Sequence, residues 1–158
     1  MSKANTIIIT GIVTFVLTSA LWVAGIAGLY WYFVASPPSF SVQIETPSEV
    51  QLEEEFLMVV TVTNPSDEDA ELGSIDIYDS LLDGFEILHV LPEPTDRADY
   101  FDFHTAYFNT RLAPGESETY SYTLRAKEEG LWVGDIDCCA PNEKFVTTSK
   151  AITVSAAQ

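Results

Sequence analysis

Residues 7 to 35, IIITGIVTFVLTSALWVAGIAGLYWYFVA, carry no charged side chain, and no other feature of the chain restricts its fold so tightly. At about 1.5 Å of rise per residue, a helix of about 20 residues crosses the hydrocarbon core of a bilayer, so this run crosses with residues to spare. Tyr30, Trp31, Tyr32 and Phe33 crowd its C-terminal end, where amphipathic rings favour the headgroup layer. Pro37 and Pro38 follow and stop a helix, since proline lacks the amide proton and disfavours helical backbone in the residue before it. The expected organisation is a short cytoplasmic N-terminus (1–6), a transmembrane helix (7–35), a linker (36–39) and one extracytoplasmic domain (40–158). Membrane lipid is then the first partner.

A cleaved signal peptide competes with this reading, but its apolar region spans only about 7 to 15 residues before a small-x-small site. Here Gly25-Ile26-Ala27 sits inside the apolar run, with the aromatic group beyond it. Orientation follows from Lys3 and the α-amino group, the only positive flank, which the positive-inside rule keeps in the cytoplasm.

One helical face repeats at intervals of three and four: Gly11, Thr14, Thr18, Leu21, Gly25 and Gly28. Ala20, Ala24 and Gly28 add small-xxx-small spacing. In lipid, small side chains let two backbones approach closely, so this face is a candidate for packing on another helix, in a homo-oligomer or a larger membrane complex. A plain anchor uses the same residue types, and the alternatives stay open.

Charge separates the two regions. All 24 Asp and Glu residues follow residue 44, and of the 7 basic residues only Lys3 precedes the apolar run, so the outer domain carries a net charge of −18. Such a field repels nucleic acid, and Arg97, Arg111, Arg125, Lys127, Lys144 and Lys150 are too dispersed to form a basic patch. Nucleic acid is excluded as a partner. Acidity of this degree suits a solubilising surface, a cation-rich surrounding or a salt-loving host, and composition does not separate the three.

Beyond Pro38 the hydrophobic period becomes two. Phe40, Val42 and Ile44 alternate with Ser41, Gln43 and Glu45, and Tyr120, Tyr122 and Leu124 alternate with Ser121 and Thr123. One face of each run is buried, as in a strand. Comparable runs lie near 56–63, 73–78, 84–91, 100–108, 130–137 and 145–154, and turn residues at Asn64-Pro65, Asp83-Gly84, Pro92–Pro94, Pro114-Gly115 and Glu129-Gly130 separate them. The expected fold is all-β: an immunoglobulin-like antiparallel sandwich of seven or eight strands after one transmembrane α-helix. About 120 residues bury enough surface to fold without a disulfide or metal.

Three motifs extend the reading: Asn64 after a β run, Asp79 and Gly84 in a D-x-L-x-x-G-F stretch, and Pro114-Gly115-Glu116 before a strand. With them, residues 40 to 155 resemble the DUF11 and CARDB-like immunoglobulin-fold modules of prokaryotic surface proteins. The resemblance implies an adhesive, spacer or assembly role and no catalysis. Mechanically, Asn64-Pro65 ends a strand, Gly84 permits a tight turn and Pro114-Gly115 makes a corner. Such modules usually occur in tandem, whereas this one stands alone behind an N-terminal anchor.

Catalytic signatures are absent: the sequence has no G-x-S-x-G elbow, H-E-x-x-H, Walker loop or D-x-D-x-D-G calcium loop. No enzyme activity and no cofactor are expected. His89 and His104 lie in apolar or aromatic runs and read as sheet residues before catalysts. Cys138 and Cys139 are adjacent, and on a strand their sulfurs point to opposite faces. Three arrangements remain: Cys138 buried in phase with Trp132 and Ile136 with Cys139 outward, a strained disulfide between neighbours, or an intermolecular or metal-bound pair. A metal would recruit His89 or His104 into a soft copper or zinc site.

The acidic groups Glu53-Glu54-Glu55 and Asp67-Glu68-Asp69, with Asp96, Asp99 and Asp102, read as solvated charge before calcium ligands, because consecutive carboxylates diverge. The loop Pro92–Asp102 is the candidate interaction edge, and the aromatics of 100–108 read as core. Two functions follow. One is a membrane-anchored, non-catalytic extracytoplasmic structural or protein-interaction module. The other is an accessory subunit docked through its helix into a larger membrane complex, with a metal or redox part for the cysteines. Partners are other membrane or envelope proteins.

Overall fold

A computed structural model describes residues 3–33, 40–141 and 144–157, with side chains of the N-terminal helix described from Ile12 to Trp31. The chain divides into two units, 1–37 and 38–158.

The first unit is helix α1, Lys3–Phe33. It begins four residues before the apolar run, since Lys3-Ala4-Asn5-Thr6 contains nothing that breaks a helix. Its span Ile12–Trp31 is long and apolar enough to cross a membrane, and none of that span is buried. Phe33 ends the helix where the aromatic cluster ends. Val34, Ala35 and the expected 36–39 linker with its two prolines lie outside the described residues.

The second unit is a β-sandwich. Its strands are β1 (Ser41–Glu45), β2 (Glu49–Gln51), β3 (Glu55–Thr63), β4 (Ala70–Tyr78), β5 (Phe85–Leu91), β6 (Asp96–Tyr100), β7 (Phe103–Leu112), β8 (Ser117–Ala126), β9 (Gly130–Cys139) and β10 (Phe145–Ser155). A four-stranded sheet has the order β1-β3-β8-β5, and a six-stranded sheet the order β2-β10-β9-β4-β7-β6. Two features correct the sequence expectation. There are ten strands among the described residues: β2, with three residues, is too short for a period of two to register, and β6, Asp-Arg-Ala-Asp-Tyr, has no apolar alternation. The sheets are also not wholly antiparallel: β2 runs parallel to β10, with Val50 opposite Val154.

The alternating pattern sets the core. Phe56, Met58, Val60 and Val62 of β3 face Leu72, Ile75 and Ile77 of β4, with Tyr120, Tyr122 and Leu124 of β8 beside them, and all are buried. The Phe108 and Tyr120 rings pack at a tilt of 52°, with centroids 4.3 Å apart. The hydroxyls of Tyr120 and Tyr122 are buried without a hydrogen-bond partner, and burial pushes both phenols above their ordinary range.

The three motif positions act as follows. Asn64 is fully buried and ties its loop to β7: its Nδ2 donates to Leu112 O (2.9 Å) and Glu68 O (2.8 Å), while Oδ1 accepts from Ser66 N and Oγ. Gly115 adopts φ +76°, a left-handed conformation that suits glycine at the Pro114-Gly115 corner. Gly84 sits in the expected turn, just before β5, but is glycine for a different reason. Its φ is not positive, and a side chain there would instead meet the Trp132 ring 2.3 Å away, so it is glycine for close approach. Between β4 and β5, Asp79–Leu82 forms a single helical turn, α2, that buries Leu81 and Leu82. A Cβ at Gly134 of β9 would lie 2.8 Å from the Leu81 backbone nitrogen.

Candidate functional site

The four soft or near-neutral ligand candidates are not brought together. His89 stands on β5 in the four-stranded sheet, His104 on β7 and the cysteines on β9 in the six-stranded one. Among the described residues, no group of three or more His, Cys, Asp or Glu side chains is placed to hold a metal ion. His104 Nδ1 instead bonds Asp99 Oδ1 on the neighbouring strand at 2.5 Å.

Both cysteines are free. Cys138 points inward and is buried, while Cys139 points outward and its thiol donates to Asp76 Oδ2 at 3.3 Å. Burial raises both thiols, Cys139 to about 12 with Asp76 adding to the effect. The thiolate, which is the nucleophile and soft-metal ligand, is therefore disfavoured at both positions.

The acidic groups go to separate partners. Glu55 pairs with Arg125 at 2.6 Å, and Arg125 also reaches Glu86. Asp69 pairs with Arg111. Glu54 Oε2 accepts from Gln51 N, and Asp96 Oδ1 accepts from Arg97 N. Within the Pro92–Asp102 segment, Asp96–Tyr100 forms β6, the edge strand of the six-stranded sheet. Of the nearby aromatics, only Phe108 enters the core. Phe101 is fully exposed, while Tyr78, Phe103 and Tyr100 form a chain of rings with centroids 5.6 and 5.2 Å apart. Tyr100 and Tyr107 share a hydroxyl hydrogen bond of 3.0 Å, which together with burial pushes Tyr107 up to about 12.

The one polar concentration that sequence reasoning missed is the outer face of the six-stranded sheet. Strand register aligns Thr147, Asp137, Asp76 and Thr105 across β10, β9, β4 and β7. Asp137 and Thr105 are buried. Tyr78 donates to Asp137 Oδ2 at 3.4 Å. Desolvation raises the Asp137 carboxyl above its usual range, Asp76 raises it further, and hydroxyl hydrogen bonds from Thr147 and Tyr78 oppose the shift. Ile-Asp-Ile and Ile-Asp-Cys in mid-strand were the available signal, because aspartate is depleted in strands.

On α1, Thr18 Oγ1 donates back to Thr14 O at 2.8 Å, so that hydroxyl is already engaged within its own helix. Leu21 is exposed, and side chains added at Gly25 or Gly28 would meet nothing within 4 Å. The Gly11 side of the face lies outside the residues whose side chains are described.

No family model matches the sequence, and no curated protein matches it. Solved structures do. A cohesin module from a Clostridium perfringens family 33 glycoside hydrolase is 12% identical, with 76% of this chain and 99% of that chain covered and a TM-score of 0.49. A CARDB domain from Pyrococcus furiosus is 13% identical, with 75% and 96% covered and a TM-score of 0.49. A Listeria innocua β-glucosidase is 18% identical with a TM-score of 0.42; 76% of this chain is covered but only 16% of the enzyme. The fold rests on the strand pairing described above, and no activity passes to this chain from these likenesses.

Proposed function

We propose that this chain is a non-catalytic immunoglobulin-like module, held at a cell membrane by α1, whose sandwich lies outside the cytoplasm and serves a structural or protein-interaction role. The observation that carries the reading is the uncharged, unburied span Ile12–Trp31 in a chain whose acidic residues all lie in the other unit. Lys3 supports a cytoplasmic N-terminus. The test is to fractionate cells, extract membranes with carbonate and determine the N-terminus of the retained chain. An intact chain resistant to extraction is the expected result. A soluble product beginning near Gly28 or Ser36 overturns the anchor, because a signal sequence has the same apolar character.

A second reading, docking into a larger membrane complex or a homo-oligomer through α1, is favoured by the open surface at Gly25 and Gly28. The raised thiols argue against a redox or metal part for Cys138 and Cys139 in it. Crosslinking the intact chain beside one starting at Ser39 separates the two readings. Partners kept by the truncated chain favour the sandwich as the binding surface, and partners lost with the helix favour α1.

A further inference from the structure

Asp76 and Asp137 stand directly opposite each other on β4 and β9, and Thr105 stands opposite Asp76 on β7. Residues so paired share one face, with Cβ atoms about 4.5–5.5 Å apart. Each of the three presents a buried oxygen that has no hydrogen-bond partner: Asp76 Oδ1, Asp137 Oδ1 and Thr105 Oγ1. Asp137 is 8% exposed and Thr105 2%. The second carboxylate oxygens are engaged, Asp76 Oδ2 by the Cys139 thiol and Asp137 Oδ2 by the Tyr78 hydroxyl, and the Thr147 hydroxyl opposite Asp137 also favours its ionised form.

Among the described residues, the strand register puts no basic residue on the rows beside the pair. The neighbouring row of the same face runs Phe145, Cys139, Ser74, Tyr107 and Asp96. On the other side Ser149 is opposite Asp135, and Tyr78 and Tyr100 are each opposite Phe103. Both flanks therefore add acids, Asp96 and Asp135. A buried charge without a partner costs several kcal/mol, so two ionised carboxylates facing each other here call for a counter-cation. A proton shared between them would relieve the repulsion but leave the Thr105 oxygen unpartnered.

We infer that Asp76, Asp137 and Thr105 form a binding site for a hard cation of the calcium type, with water completing its coordination. Three hard oxygens suit calcium, which accepts irregular geometry, better than magnesium, which demands a near-ideal octahedron. Zinc and copper favour thiolate or imidazole, and the sulfur nearest the site, Cys139, acts as a hydrogen-bond donor. The site contains two carboxylates, with a hydroxyl as third donor. It thus differs from the groupings of three His, Cys, Asp or Glu that the described residues lack.

The test uses the full chain in detergent, stripped with chelator and then melted across a calcium chloride titration, beside Asp137→Asn and Thr105→Val. Wild type should show a saturable rise in Tm; at 100 times Kd the folding equilibrium shifts about 100-fold. Asp137→Asn should lose that rise, and Thr105→Val should need more calcium to reach it. In chelator, Asp137→Asn should melt at or above wild type, which shows that it folds. The inference is overturned by a wild-type Tm that ignores calcium, by a rise that persists in Asp137→Asn, or by variants that differ from wild type only in pH profile, the mark of a shared proton.

Discussion

The two outer faces of the sandwich offer solvent the same pleated backbone, but they handle polar side chains differently. On the four-stranded sheet, Thr61 faces Thr119 and Thr63 faces Ser117, with oxygens 3.5 and 2.7 Å apart. Arg125 stands between Glu55 and Glu86 at the end of the same face. On the six-stranded sheet, Asp76 faces Asp137 and buried oxygens go unpartnered. The difference lies in the groups. A hydroxyl both donates and accepts, so two of them satisfy each other across a strand pair; an ionised carboxylate only accepts, so two of them need a third party. The first face is complete in itself, and the second is open to something from solution.

The largest test of this contrast is steric. In Gly134→Ala, the new Cβ of β9 would fall 2.7 Å from Ser80 Oγ and 2.8 Å from the Leu81 backbone, and overpacking of this kind should cost roughly 1–3 kcal/mol. Denaturant unfolding measures it, and a neutral result would mean that α2 and β9 yield easily and do not hold the carboxylate row in place.

The next test is electrostatic. In chelator, Asp137→Asn removes a like-charge pair and should raise stability by roughly 0.2–1 kcal/mol. Because the folded Asp137 carboxyl is raised, the native state holds a proton that the unfolded chain releases. Its contribution to stability is therefore greatest at low pH and falls as pH climbs from about 3.9 through the raised value. Urea unfolding across that window should show the fall flattened in Asp137→Asn; a destabilised variant with an unchanged slope would place the relevant charge elsewhere.

The smallest effect belongs to the other face. Thr61→Ala on β3 breaks one exposed hydroxyl contact and should change stability by no more than about 0.5 kcal/mol, without altering the pH profile. A larger loss in thermal melts would show that the hydroxyl face also depends on a specific network.

Much of the fold could be read from local pattern. The charge-free run marks α1, the alternation around Tyr120–Leu124 marks β8, and Pro114-Gly115 marks the corner before it. β2, with three residues, is too short to show a period. Gly84 announced the turn it occupies but not the packing against Trp132 that requires glycine there, since a contact with a residue distant in sequence leaves no local trace. The site was less legible. Adjacent cysteines and two histidines drew attention as rare residue types, yet β5, β7 and β9 hold them apart. Asp76 and Asp137 were each legible as an aspartate unusual within a strand, but nothing local pairs one with the other.

By itself, the chain's order of residues determined everything that depends on neighbours within a few positions: an uncharged helical rod, the period-two strands, the turns and the segregation of charge. Only the tertiary structure decided which strands lie side by side, and so that Asp76 meets Asp137 and Thr105. Side-chain alternation assigns a residue to a face, but register between distant strands depends on the packing of the whole core, and that register joins two acids and a hydroxyl into one site.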